Sequence, residues 1–132
     1  MKIGFTLLLV LSSFFAFAQT EKKVTPEFLV QQQLDGYNAR DIDAFLAPYA
    51  DDVELYAFPQ KLIGKGKDKM RVDYSLLFKR ISNLHCDLKN RTIMGNNVID
   101  HESITGFGPE KQEAIAIYEI KNDKISKVYF IQ

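Results

Sequence analysis

The sequence contains one cysteine, no excess charge of either sign, and no long apolar run beyond its first residues. Cys86 is alone among 132 residues, so a disulfide within this sequence is excluded. Lys and Arg together number 17, as do Asp and Glu, and the formal net charge is zero. This balance lacks the basic footprint by which proteins bind nucleic acid or anionic membranes. We therefore expect no nucleic-acid partner and a domain held by an ordinary apolar core.

The most apolar stretch lies at the start of the sequence. Lys2 precedes apolar residues from Ile3 to Leu11, and Ala16-Phe17-Ala18 precedes Gln19. A basic start, a short apolar core and an A-x-A exit are typical of a secretory signal peptide. A membrane span needs about 20 apolar residues. We predict a signal peptide at residues 1–18, export to the periplasm or the exterior, and no stable membrane insertion after cleavage. An uncleaved anchor is the alternative.

Residues 24–132 contain no repeat or linker and are expected to form one domain that begins with helices. Thr25 and Asp41 are suitable N-caps, and Pro48 should end the second helix because it lacks an amide hydrogen. A helical spacing of apolar residues from Met70 to Ile81 indicates the third helix. The predicted helices span residues 26–38, 41–49 and 67–81.

The rest of the chain has the pattern of strands. Gly95-Asn96 and Asn122-Asp123 are plausible two-residue hairpin turns, and residues 61–67 are predicted to be a flexible surface connection. Helices followed by mostly antiparallel strands indicate an α+β fold with the helices on one face of a curved sheet. The predicted strands span residues 53–58, 84–94, 97–106, 112–121 and 125–131.

Several stretches resemble the nuclear transport factor 2-like superfamily, in particular its SnoaL-like and ketosteroid-isomerase-like branch. They are NARD–D at Asn38 to Asp43, YADDVELYAFP at Tyr49 to Pro59, Gly66, and YEIKNDKISKVYF at Tyr118 to Phe130. The resemblance implies a cone-shaped α+β domain, with three N-terminal helices packed on a strongly curved, mostly antiparallel sheet around a deep apolar pocket. Many such proteins form dimers through the outer sheet face.

The resemblance also locates the catalytic positions of ketosteroid isomerases. Those enzymes need a carboxylate before a proline at the end of the first strand, where this sequence has Ala57, or Phe58 if the count is anchored on Pro59. Their oxyanion-hole tyrosine and neutral acid correspond to Gln33 and Ala116. An apolar pocket that holds base and donors drives that reaction. Isomerisation by that mechanism is therefore not expected.

The turn at Gly95-Asn96 predicts which residues of the flanking strands face each other. Arg91 should lie opposite Asp100 and Lys89 opposite Glu102 on one sheet face. These are either ordinary cross-strand ion pairs, worth a few tenths of a kcal/mol, or a polar cluster at the mouth of the pocket that orients a ligand.

The opposite face should carry Asn90 across from His101, and Leu88 across from Ser103. His101 is the weak candidate for a catalytic acid or base inside the cavity, although a satisfied or exposed histidine is the commoner outcome. Asp100-His101-Glu102 is not a metal motif, because alternation points its acids away from the histidine. The same objection applies to residues 85–87. We predict no metal and no other cofactor.

Tyrosines and small residues suit a pocket for a small apolar molecule. We therefore predict an exported small-molecule-binding protein, with possible isomerase-, cyclase- or hydratase-like activity. The alternative is a non-catalytic dimeric module with a filled pocket. Ile115 and Ile117 alternate with alanines and should lie on the outer sheet face, which favours a homodimer. The candidate ligand-binding residues are Tyr56, Tyr74, Asn90, His101 and Tyr118.

Overall fold

The structure, a computed structural model, describes residues 23–132; the predicted signal peptide at residues 1–18 lies outside them. The helices are α1 (Pro26–Ala39), α2 (Ile42–Leu46) and α3 (Lys67–Arg80). The strands are β1 (Tyr49–Ala57), β2 (Lys61–Lys65), β3 (His85–Met94), β4 (Asn97–Thr105), β5 (Gln112–Lys121) and β6 (Lys124–Ile131). The predicted α+β fold, with helices packed on a mostly antiparallel sheet, is confirmed.

The first two helices begin at the predicted caps. The Thr25 hydroxyl accepts a hydrogen bond from the backbone amide of Phe28 at 3.1 Å, and the Asp41 carboxylate accepts one from Ala44 at 3.1 Å. Each side chain satisfies an amide that has no partner in the first helical turn. Helix α2 ends at Leu46, three residues earlier than predicted, and the chain enters β1 just after Pro48.

Helices α1 and α2 approach so closely that only glycine fits at their crossing. A Cβ atom added at Gly36 would lie 2.3 Å from the backbone nitrogen of Phe45. Gly36 therefore costs some helix propensity but permits the corner from which α2 and β1 enclose the interior.

The sheet has the strand order β2-β1-β6-β5-β4-β3, in which only β1 and β6 are parallel neighbours. Residues 61–65, predicted as part of a flexible connection, instead form the edge strand β2, which pairs with β1. The prediction of a flexible connection is therefore wrong. The residue pattern gave no sign of a strand here, because β2 is short, mostly exposed and flanked by lysines. Natural edge strands are often built this way, and the composition resembles that of a loop.

The hairpin of β3 and β4 has the predicted turn, with Met94 paired to Asn97, but its register shifts further along. Arg91 does lie opposite Asp100, and Asn90 opposite His101. Beyond them, Leu88 rather than Lys89 lies opposite Glu102, and Asp87 rather than Leu88 lies opposite Ser103. A β-bulge at Lys89 adds one residue to β3. The predicted pairing assumed a regular strand without such a bulge, so it is off by one residue beyond Asn90.

The concave face of the sheet and the three helices enclose one core. Helix α1 is tied to β3 by the Asn38 side chain, which donates to the Cys86 carbonyl at 2.9 Å and accepts from the Cys86 amide at 2.8 Å. Buried residues include Val30, Leu46, Val53, Val98, Ile125 and Val128.

Within residues 23–132, no helix has the length and apolar character needed to cross a membrane.

Candidate functional site

A cavity of about 130 Å³ lies between the helices and the concave face of the sheet. We call it the central pocket. Its walls are mainly aromatic, and Glu102 is the one charged side chain among the described residues that line it. Tyr37, Phe45, Tyr49, Tyr74, Tyr118 and Phe130 supply rings, and Gln33, Cys86 and Ala114 also reach it.

Four of these rings, those of Tyr37, Phe45, Tyr49 and Tyr74, form an aromatic cluster with Phe78 that joins all three helices to β1. Phe45 contacts Tyr74 with ring centroids 4.6 Å apart, and Tyr37 meets Tyr74 at 6.4 Å with an interplanar angle of 72°. Tilted and edge-to-face contacts of this kind stabilise aromatic pairs beyond the area they bury. The cluster therefore makes a rigid wall on the helical side of the central pocket.

Glu102 projects from β4 into this apolar surrounding, and only 6% of its surface is exposed. Burial, and after it the charge of Asp100, raises the pKa of Glu102 from an ordinary 4.5 to about 7. Hydrogen bonds from Tyr118 and Cys86 and the charge of Arg91 act in the opposite direction and offset this only in part. Glu102 can therefore exchange a proton near neutral pH.

A chain of hydrogen bonds ends on the Glu102 carboxylate. The Tyr49 hydroxyl donates to Oε1 of Gln33 at 3.2 Å, and Nε2 of Gln33 donates to the Tyr118 hydroxyl at 3.0 Å. The Tyr118 hydroxyl in turn donates to Oε1 of Glu102 at 3.3 Å. At each step of the chain a hydrogen is donated in the direction of Glu102. A hydrogen bond donated to the Glu102 carboxylate stabilises its ionised form.

Cys86 adds a second donor to Glu102. Its side chain is hydrogen-bonded to the Glu102 carboxylate, and burial followed by the charge of Glu102 raises the pKa of the thiol well above its ordinary value. A thiol held protonated in this way is a hydrogen-bond donor and a poor nucleophile.

Behind Glu102 lies a buried ion pair. Arg91 binds both carboxylate oxygens of Asp100, with Nε to Oδ1 at 2.7 Å and Nη2 to Oδ2 at 2.8 Å. The third guanidinium nitrogen, Nη1, donates to Gln31 at 2.9 Å. The side chains are 9% and 0% exposed, so this is neither a surface pair nor a cluster at the mouth of the pocket. The bidentate hydrogen bonds raise the pKa of Arg91.

Of the five predicted ligand-binding residues, only Tyr74 and Tyr118 line the central pocket. Tyr56 stacks on Tyr129 with centroids 5.0 Å apart and donates to Glu54, away from the pocket. Asn90 is exposed opposite His101.

His101 does not face the cavity, so that expectation is wrong. Its side chain is 44% exposed, and Nε2 lies 2.6 Å from the Glu113 carboxylate on the outer face of the sheet. The hydrogen bonds from Ser103 and then His101 lower the pKa of Glu113. The two faces of β4 are thus the reverse of those expected: Asp100 and Glu102 point into the interior, and His101 points outward. The interior position of Asp100 is stabilised by its ion pair with Arg91.

Glu102 is the site residue that sequence reasoning missed. The regular register of the hairpin places Lys89 opposite Glu102, and this pairing favours an ordinary ion pair, whereas the structure pairs Glu102 with Leu88. The available signal was the strand β5, where Ala114, Ala116 and Tyr118 alternate inward. The register pairs Glu102 with Ala114 and Asp100 with Ala116, and directly paired residues share a sheet face.

Solved structures share this fold. A cystatin-fold protein from Novosphingobium aromaticivorans has 24% identity and a TM-score of 0.76 over 83% of this chain and 100% of its own. A proposed polyketide cyclase from Sinorhizobium meliloti has 16% identity and a TM-score of 0.67, covering 78% and 93%. A protein with a ketosteroid isomerase-like fold from Catenulispora acidiphila, in complex with trimethylamine, has 12% identity and a TM-score of 0.66, covering 79% and 84%.

Among proteins of curated function, none matches this sequence. The model of the SnoaL-like domain family matches residues 30–128. That match runs from α1 into β6 and includes Glu102 together with Tyr49, Gln33, Tyr118 and Cys86 of its hydrogen-bond network. The nuclear transport factor 2-like fold expected from the sequence is shared by solved structures that bear this name. The SnoaL-like resemblance is confirmed by the family model, and the chain belongs to the SnoaL-like domain family.

Proposed function

We propose that this SnoaL-like domain binds a small, largely apolar molecule in the central pocket, with the ligand's polar group against Glu102. The observation that carries the proposal is the buried carboxyl in an aromatic cavity. Burying an ionisable group away from water costs free energy, and such groups are concentrated at functional sites. A cavity of about 150 Å³ holds one benzene ring, so the 130 Å³ here suits a molecule with a single ring or a short branched chain.

The same carboxyl would serve isomerase-, cyclase- or hydratase-like chemistry. A general acid or base works best when its pKa lies near the working pH, and Glu102 meets this condition with a pKa of about 7. A proton would pass between Glu102 and a bound substrate, with Tyr118 supporting the ionised carboxylate. This acid differs from the strand-end base of ketosteroid isomerases, whose position is held here by Ala57 or Phe58.

The alternative is a non-catalytic dimeric module whose pocket is filled by side chains. The small volume of the central pocket favours this alternative, because ligand pockets usually measure about 300–1,000 Å³. Glu102 argues against it, because a filled interior gains nothing from a carboxyl that resists ionisation. We therefore retain ligand binding as the leading proposal.

We also propose that the protein is exported and acts as a homodimer. The A-x-A exit before Gln19 supports export. Ile115 and Ile117 support dimerisation, because both alternate away from the interior and stay partly exposed on the outer face of β5. Exposed β-branched residues on a sheet face invite association.

A thermal-shift screen tests the binding proposal. Small compounds with one ring or a branched chain, trimethylamine among them, should raise the melting temperature of the wild type. A ligand at 100 times its Kd adds about 2.7 kcal/mol to the free energy of unfolding. Ala114→Leu should abolish the shift, because Ala114 is 4% exposed and lines the pocket. His101→Ala, on the outer face, should leave it unchanged. No stabilising compound, or an equal shift in Ala114→Leu, would contradict the proposal.

A further inference from the structure

The central pocket has one charged group in its lining and no basic one among the residues described. Glu102 supplies a carboxylate, while the remaining lining side chains are neutral. The nearest guanidinium, that of Arg91, is already used, because two of its nitrogens bind Asp100 and the third binds Gln31. Arg91 thus pairs with Asp100 and makes no hydrogen bond to Glu102, so ionised Glu102 gives the pocket a negative charge without a directly bonded cation.

The direction of the hydrogen bonds shows what this carboxylate still lacks. Gln33 donates to Tyr118, so the Tyr118 proton is directed to Glu102. The resulting contact is long at 3.3 Å, and the other donor is the thiol of Cys86, which is a weak one. An ionised carboxylate offers about four acceptor sites. The protein therefore provides Glu102 with neutral donors only and leaves acceptor capacity towards the cavity.

The aromatic walls of the central pocket are the second feature that suits a cation. Tyr37, Phe45, Tyr49 and Tyr74 surround the cavity with rings that meet at steep angles, such as 58° between Tyr37 and Phe45 and 60° between Phe45 and Tyr49. Aromatic rings attract organic cations through their negative faces, and ammonium groups are recognised by aromatic cages for this reason. An anion, by contrast, would meet Glu102 without any counter-charge.

We infer that the ligand of the central pocket is a small organic cation, an alkyl- or arylalkylammonium whose charged nitrogen contacts Glu102 and whose carbon groups contact the aromatic walls. The inference rests on the proposed function, since it concerns the same pocket. It fixes the ligand class, which the binding proposal alone leaves open.

The charge of the ligand also determines whether its binding affinity rises or falls with pH. An ammonium ion binds the ionised form of Glu102, so affinity should rise with pH through the carboxyl pKa of about 7. A neutral acceptor ligand would instead need protonated Glu102 and would bind more weakly as pH rises. The titratable or charged neighbours facing Glu102 are Asp100 on β4, Cys86 and Arg91 on β3, Tyr118 on β5, and the phenols of Tyr37, Tyr49 and Tyr74. Burial raises the pKa of each of these phenols, that of Tyr74 to about 12, so none ionises below pH 9.

The test compares tert-butylammonium with tert-butanol, which have the same three methyl groups and differ in charge. Binding would be followed by amide NMR titration of the full-length protein at pH 6 and pH 8. An alkylammonium ionises near pH 10 and stays charged in this window. With a carboxyl pKa of about 7, the ionised fraction, and hence the affinity for tert-butylammonium, should rise about tenfold from pH 6 to pH 8. Tert-butanol should bind more weakly and lack this rise.

Glu102→Gln removes the charge and keeps the shape, so it should abolish the preference for the ammonium ion. Glu113→Gln removes a carboxylate that is exposed on the outer face and should behave as the wild type. The pH series on the wild type needs no variant, so the inference stays testable if Glu102→Gln does not fold. Tighter binding of tert-butanol, or an affinity for the cation that falls with pH, overturns the inference and leaves the binding proposal standing. Binding of neither compound overturns both.

Discussion

Replacing Glu102 by glutamine should stabilise the folded protein at pH 8 and do so much less at pH 5. In the folded state the carboxyl has a pKa of about 7, against an ordinary value of 4.5 when the chain is unfolded. The contribution of Glu102 to the free energy of unfolding is therefore fully present below about pH 4.5 and is lost as pH rises through 7. It is lost because folding at higher pH places an ionised group in the interior. Glutamine never ionises, so the variant avoids this loss.

The magnitude follows from the difference between the two pKa values. One pKa unit corresponds to 1.36 kcal/mol, and a change from 4.5 to about 7 gives a maximum of about 3 kcal/mol above pH 7. Some of this loss is already present at pH 5. The advantage of the variant over the wild type should therefore grow by about 2–3 kcal/mol between pH 5 and pH 8.

Urea denaturation at the two pH values measures this difference. With a slope of about 2 kcal/mol per molar urea, the midpoint of Glu102→Gln should gain about 1 M relative to the wild type as pH rises. Altered hydrogen bonds to Tyr118 and Cys86 contribute equally at both pH values, so they cancel in the comparison. Glu110→Gln removes the same charge from an exposed loop and should show no such gain. A constant difference between wild type and Glu102→Gln would refute a raised carboxyl pKa.

Three further outcomes are expected. Arg91→Leu should lower the free energy of unfolding by about 3–5 kcal/mol in urea denaturation, because it leaves fully buried Asp100 unpaired; the double change with Asp100→Leu should recover most of the loss, and no recovery would contradict the pairing. Sedimentation should give a dimer for the wild type and a monomer for Ile117→Lys, and a monomeric wild type would end the dimer proposal. Intact mass of protein exported by its native host should begin at Gln19; a retained leader would contradict export.

Sequence reasoning located the elements whose signals are local. Thr25 and Asp41 begin helices because their side chains cap amides three residues away, and the Gly95-Asn96 turn joins strands that directly flank it. Such interactions depend only on neighbouring residues, so they can be read from the chain. Strand β2 gave no such signal, because an edge strand that is solvent-exposed along its length lacks alternation of apolar and polar residues.

The central pocket was predicted in outline, and its polar group was not. Tyr74 and Tyr118 could be assigned to it because large aromatic residues are usually buried. Acids are mostly exposed in folded proteins, which favoured a surface ion pair for Glu102, and strand alternation then placed His101 on the opposite, interior face. Strand β4 offered no correction, because Val98 and Ile99 put an apolar residue on each face. The inward alternation of Ala114, Ala116 and Tyr118 on the neighbouring strand β5 places Asp100 and Glu102 inside. The contacts with Arg91 and Cys86 agree with this placement.

The bulge at Lys89 is what brings those contacts together. Side chains alternate along a regular strand, so Cys86 and Arg91, five residues apart, would point to opposite faces of the sheet. The extra residue at Lys89 shifts this alternation by one. Cys86 can then donate to Glu102 while Arg91 binds Asp100 two residues away, both on the concave side. The two contacts that partly offset the raised Glu102 pKa, the Cys86 hydrogen bond and the charge of Arg91, thus depend on a single inserted residue, and no residue type in β3 indicates it.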